Sequence, residues 1–185
     1  MKPLRWIAWT VGAFVALLVV VVAIGAVLPQ GHVASRTIEL SHPPAVVWRT
    51  ITDVAHYPSW RAGITAVDVL PAGAGASLAW REHSRNGSLG FDAPEVVAPT
   101  RFVTRMTDRD IPFGGGWTFQ LAPSATGTSL TITERGEVYN PFFRFVSRFV
   151  IGHYRSIDTY LADLTRELDR SASAGPGARI PLDGR

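Results

Sequence analysis

Residues 41–60 read SHPPAVVWRTITDVAHYPSW, and the fold is decided by how this stretch is parsed. Pro43 and Pro44 suit the first turn of a helix, where a missing N–H costs nothing, and Ser41 or His42 stands where a cap is needed. Val47, Trp48 and Ile51 then fall at helical spacing until Tyr57-Pro58-Ser59-Trp60 breaks the pattern. A short helix is implied, followed by a second short or kinked piece. Immediately upstream, His32 to Leu40 alternates in part, as a half-buried strand does. The body of the chain therefore opens strand, helix, short helix.

Downstream the punctuation changes. Pro71-Ala72-Gly73, Asn86-Gly87, Ala98-Pro99, Gly114-Gly115-Gly116 and Pro123 to Gly127 separate runs of strand length, giving about six strands. Asn86-Gly87 is the strongest hairpin signal, because a type I′ turn requires positive φ at both central residues. From about Pro141 to Arg170 the spacing becomes helical again. Phe145, Phe149, His153, Ile157, Leu161, Leu164 and Leu168 form one apolar face, while Arg144, Arg148, Arg155, Asp163, Arg166 and Glu167 mostly occupy others. This predicts a long helix laid on something hydrophobic. Residues 171–185 are rich in Ser, Ala, Gly and Pro without periodicity, and are expected to form a disordered tail.

This order is that of an α+β helix-grip: a curved antiparallel sheet of about six or seven strands around a long C-terminal helix. Pro43-Pro44-Ala45-Val46-Val47-Trp48, then Asp53, then Tyr57-Pro58-Ser59-Trp60 resembles the opening of the SRPBCC (START-like, birch-pollen-allergen-like) superfamily, including its polyketide cyclase/dehydrase branch. Gly116 to Leu121, Gly127 to Glu134 and the final helix resemble that superfamily's last two strands and gripped helix. The resemblance covers residues 32–170. It implies a cavity between sheet and helix that takes apolar or amphipathic small molecules such as lipids, sterols or polyketides. It carries no shared catalytic motif, and no cofactor is expected.

Ahead of this body, Trp6 to Leu28 contains no charge and as a helix would extend ~34 Å, enough to cross a bilayer core. Residues 1–5 carry Lys2 and Arg5, no acid appears before Glu39, and Trp6 and Trp9 sit where an aromatic belt would lie. The expectation is a single-pass anchor over residues 6–28 with its N-terminus cytoplasmic and the domain on the non-cytoplasmic side. A cleaved secretory signal competes, but the apolar run is long for one and no small-x-small site follows Leu28. The formal charge of +3 invites a nucleic-acid reading. With Lys2 and Arg5 set aside, acids and bases nearly balance and no basic run remains, so that partner is not expected. With no cysteine there is no thiolate and no Cys-based metal site, and the histidines lack ligand spacing, so no metal is expected.

Strand alternation puts Trp117, Phe119 and Leu121 on one face, and Leu130, Ile132, Glu134 and Val138 on one face of the next strand. Glu134 on an apolar face is a candidate to bond a ligand or transfer a proton; its structural alternative is a partner to Arg105 or Arg81. His153, on the apolar stripe of the last helix, is the second candidate, with a cavity-wall histidine as the alternative; His83 has less support. Trp80, Phe91, Phe102, Trp117, Phe119, Ile132, Phe145, Phe149 and Ile157, together with Glu134 and His153, are the expected cavity lining, with Phe113 and Phe142 near its mouth. Three functions follow: a membrane-anchored protein binding a hydrophobic small molecule or lipid, a cyclase/dehydratase-type enzyme using Glu134 or His153, or an interaction module with a collapsed cavity. No particular protein partner is indicated.

Overall fold

The computed structural model describes residues 2–173, with side chains from Trp6 onward. Helix α1 (Lys2–Val27) contains the segment Trp6–Val27, which is long and apolar enough to cross a membrane and stands almost wholly clear of the rest of the protein. Strand β1 (Gly31–Leu40) leads into α2 (Pro44–Thr52), a single 3₁₀ turn at Val54–His56, and α3 (Tyr57–Trp60). Pro43, rather than Ser41 or His42, takes the cap position of α2, and no side chain caps it. Six strands follow: β2 (Ile64–Leu70), β3 (Leu78–Ser84), β4 (Gly87–Val97), β5 (Arg101–Met106), β6 (Phe113–Ser124) and β7 (Gly127–Val138). The chain ends in α4 (Pro141–Val146), a π-helical turn at Ser147–Ile151, and α5 (Arg155–Ser173).

All strands pair antiparallel in one seven-stranded sheet of order β1-β7-β6-β5-β4-β3-β2. β2 to β7 form a meander, and β1 closes the far edge beside the last strand. Helices α2 and α3 connect the two edge strands, β1 and β2. Register shifts at Ile64/Ala66 and Asp92/Glu95 mark bulges, the usual source of local bend and added twist in a sheet. The inner face packs Trp80, Phe102, Phe119, Leu130 and Ile132 against Ile157, Leu161, Leu164 and Leu168 of α5 and Val47 and Ile51 of α2. The sheet thus grips the long C-terminal helix.

Three local expectations are corrected. The β3–β4 hairpin forms, but Arg85 and Asn86 occupy its turn and neither has positive φ; only Gly87 does, at 124°, so the turn is not type I′. The helix read as continuous from Pro141 to Arg170 is interrupted after its π-helical turn by Gly152, whose φ of 78° lies in the left-handed region. Apolar spacing runs on across the break, but the faces on either side differ. Finally, α5 continues to Ser173, and residues 174–185 of the expected tail lie outside the described residues.

Candidate ligand cavity

Between the inner face of the sheet, α5 and the α4 segment lies a cavity of about 820 Å³. Its apolar wall includes Trp80, Phe91, Trp117 and Phe119 from the strands and Phe143, Val146 and Ile151 from α4 and the π turn. Alternation explains the strand contribution, since Trp117 and Phe119 share one face of β6 and Trp80 lies opposite Phe91 across β3–β4. The rings pack on one another: Trp80 stacks on Phe91 with centroids 5.6 Å apart, and Trp117 meets the Tyr160 edge at 5.4 Å.

Two polar clusters interrupt this wall. In the first, Arg61 Nη1 donates to Glu82 Oε1 at 2.6 Å, and Trp80 Nε1 donates to the same oxygen at 3.0 Å. The Arg61 guanidinium also lies over the rings of Tyr57 and Tyr160, 4.6 and 5.2 Å from their centroids. Burial opposes the Arg61 charge, but Glu82 and the two phenols outweigh it, so its pKa is raised. Burial pushes the Tyr57 and Tyr160 hydroxyls well up, keeping both neutral. Tyr57 donates to Ile51 O at 2.7 Å, whereas the buried Tyr160 hydroxyl has no hydrogen-bond partner among the described residues. Asp163 completes this end, accepting from Ala62 N at 2.7 Å and from Arg166 at 2.9 Å.

The second cluster joins β1, β7 and the start of α5. Glu134 accepts from Ser156 Oγ at 2.6 Å, and its other oxygen lies 3.4 Å from His32 Nε2. His32 stacks on His153 with ring centroids 4.0 Å apart, and His153 Nδ1 lies 3.4 Å from Ser147 Oγ. The His32 ring occupies space that any side chain at Gly136 would fill. This arrangement can accept a hydrogen bond from a ligand hydroxyl or exchange a proton with it, through a carboxylate and two imidazoles on one wall.

The His153 pKa is lowered, first by burial and then by the positive charges of His32 and Arg148, with Glu134 only partly offsetting them. A histidine disfavoured as a cation when folded takes up protons more readily when unfolded, so its contribution to stability is lost as pH falls from the ordinary value of 6.5 through the depressed one. Thermal melts are therefore expected to show a fall in stability across that window that shrinks in His153→Gln. An imidazole NMR titration placing the His153 midpoint at or above 6.5 would contradict this.

Of the residues expected to line the cavity, Trp80, Phe91, Trp117, Phe119, Glu134 and His153 do so. Phe102, Ile132 and Ile157 are fully buried in the core rather than among the lining residues. Phe145 and Phe149 pack on each other at 4.9 Å outside the cavity, with Phe149 60% exposed, because the π turn and Gly152 break the face that periodicity extended through them. Neither arginine reaches Glu134: Arg105 binds Asp92 at 3.1 and 2.6 Å, and Arg81 binds Asp108 at 3.3 Å. Both alternate with inward residues on their strands and so face outward. His83 likewise sits outside, between Asp68 and Ser88. Arg61, Glu82, Tyr160 and His32 were not singled out by sequence. Glu82 shares the face of Trp80 and Tyr160 lies on the apolar stripe of α5, so both were within reach of periodicity; His32 depends on the long-range pairing of β1 with β7.

Comparison with known proteins agrees with this architecture. The aromatase/cyclase ZhuI from Streptomyces sp. R1128 superposes with a TM-score of 0.62 at 15% identity, covering 80% of this chain and 99% of that one. Norcoclaurine synthase from Thalictrum flavum gives 0.61 at 11% identity, over 79% and 99% of the two chains. A START superfamily protein from Mycobacterium smegmatis gives 0.56 at 16% identity, over 76% and 99%. At such identities the likeness is one of fold, not of reaction. No curated protein matches by sequence. A family model described as polyketide cyclase / dehydrase and lipid transport matches residues 32–169, which is most of the chain and the whole of the grip: the protein belongs to that family.

Proposed function

We propose that this chain is a membrane-anchored protein that holds one hydrophobic small molecule in the cavity between sheet and α5. Family and fold support hydrophobic ligand binding or cyclisation as the general role. The observation that carries the binding reading is the cavity itself: about 820 Å³, walled by aromatic rings, with two polar clusters to orient a ligand. The same open space removes the collapsed cavity on which an interaction module rested. The anchor is the span within α1, with Lys2 and Arg5 on the cytoplasmic side by charge bias and the domain on the other.

Native mass spectrometry of the full chain extracted in mild detergent is expected to show an apolar molecule at about one per chain, released on denaturation. A protein that emerges empty and shows no saturable uptake of a fluorescent fatty acid would sink the binding reading. One observation favours an enzyme as the second reading: Glu134 and His153 share the cavity wall with His32, and no arginine among the described residues pairs with the carboxylate. Glu134→Gln separates the two. A carrier yields the same bound species from wild type and variant, whereas an enzyme yields product from one and precursor from the other.

A further inference from the structure

Between Phe142 and Tyr154 the protein turns large apolar side chains to the outside: Phe142, Phe143, Phe149, Val150, Ile151 and Tyr154 are all exposed, Val150 at 71%. Such a patch at the end of a well-packed fold calls for an occupant. What lies beside it is α1. Gly25, in the last turn of α1, approaches Pro141 so closely that any side chain there would collide with the Pro141 backbone. Arg144 of α4 donates to Gly25 O and Leu28 O, both at 3.1 Å, and Gln30 O accepts from Val138 N at 2.9 Å. No slack linker separates the span from the domain. Where α1 leaves the hydrocarbon, α4 begins.

We infer that α4 and the turn Ser147–Ile151 are seated in the interfacial layer of the bilayer that α1 crosses, and that the cavity opens onto that layer, so that its ligand is exchanged with lipid and not through water. The inference rests on the anchor reading above. Phe143 and Ile151, exposed members of the patch, also line the cavity, as does the exposed Phe113, so rim and patch are one surface. Arg148 and Arg155, exposed and without an ion-pair partner among the described residues, suit phosphate headgroups, and Tyr139 and Tyr154 suit the depth at which amphipathic rings settle. The π turn and the left-handed Gly152 supply the segment that projects these side chains.

The chain has no cysteine, so one introduced thiol carries one label. Full-length Val15→Cys, Val150→Cys and Ala125→Cys, each bearing an NBD fluorophore, are placed in phosphatidylcholine/phosphatidylglycerol nanodiscs with or without spin-labelled lipid. Ala125 sits in the β6–β7 turn, at the opposite end of those strands and ~35 Å from the Phe113–Val138 pair that adjoins α4. The expected result is quenching at positions 15 and 150, with position 150 favouring a label near the headgroup, and none at 125. Quenching at 15 with position 150 behaving like 125 overturns the inference and leaves the anchor standing; no quenching at 15 removes the anchor and the inference with it. Position 150 shielded from iodide yet unquenched by lipid means a protein covers the patch, which also overturns it. For the route, Phe149→Asp with Val150→Asp, both exposed and outside the cavity lining, is expected to slow exchange of a dansyl fatty acid between cavity and nanodisc at least about tenfold, read by energy transfer from the cavity tryptophans, with final occupancy little changed. An unchanged rate overturns the lipid route.

Discussion

Arg144→Met is expected to lower the melting temperature of the full chain in nanodiscs by about 10 °C. The residue is 8% exposed, and every hydrogen bond its side chain makes among the described residues is to a backbone carbonyl. Nε donates to Val138 O at 2.9 Å, Nη2 to Tyr139 O at 2.8 Å, and Nη1 to Gly25 O and Leu28 O, with Ala26 O at the limit of 3.5 Å. The last carbonyls of a helix have no partners within it, and a cation there also meets the negative end of the helix dipole. One guanidinium therefore closes the end of α1 and ties it to the end of β7. Methionine fills similar volume but donates nothing, leaving several carbonyls unpaired at a cost of about 1–3 kcal/mol each where water cannot reach them. Allowing for partial hydration, a net loss of about 4 kcal/mol is expected. Arg144→Lys keeps the charge but not the planar fork, and should recover only part of it. Faster proteolysis at Pro29–Gln30 should accompany the loss, since that stretch is pinned by the same contacts. A melting temperature within about 2 °C of wild type would show that the junction does not depend on this residue.

Arg144 also shows where the sequence is silent. On a helical wheel it falls among polar positions, because a wheel contains only its own helix; three of its partners, Gly25, Ala26 and Leu28, lie more than a hundred residues away in α1 and just after it. By contrast the core face of α5 was legible, since Ile157, Leu161, Leu164 and Leu168 lie within one uninterrupted helix. The meander could be counted because glycine and proline punctuate it, although the turn chemistry at Asn86-Gly87 did not follow the dipeptide rule. Phe149 was misplaced for the opposite reason to Arg144: its spacing looked helical, but a π turn and one left-handed glycine intervened. In the cavity, alternation placed Glu134 and Trp117 correctly on the inner wall and, applied equally to β3 and β5, would have excluded Arg81 and Arg105 as partners. The His32–Glu134 contact could not be read that way, because it requires the register of β1 on β7, the longest-range pairing in the sheet. Side chains set by local period were readable; those set by tertiary approach were not.

The second large effect is expected at the other end of the cavity. Glu82 is 7% exposed in its side chain and Arg61 21%, and the pair shares a wall with three aromatic rings. Glu82→Gln keeps an oxygen for Trp80 Nε1 but removes the charge that balances Arg61. Breaking a buried pair from one side costs about 3–5 kcal/mol, and the residual hydration of Arg61 argues for the low end, about 3 kcal/mol. Arg61→Met should cost a comparable amount by stranding the carboxylate. Arg61→Met with Glu82→Gln strands neither charge and keeps an acceptor for Trp80 Nε1, so the double variant should be no less stable than either single one. Denaturant unfolding of the four proteins would therefore give a coupling energy of about 3 kcal/mol or more. Additive losses within about 0.5 kcal/mol would mean that solvent already screens the pair. The double variant then becomes the more informative protein for ligand work. If it folds as expected and still takes up a fluorescent fatty acid, the pair serves the stability of the cavity wall; if it folds and binds nothing, the guanidinium over the two tyrosines is part of how the ligand's polar end is held.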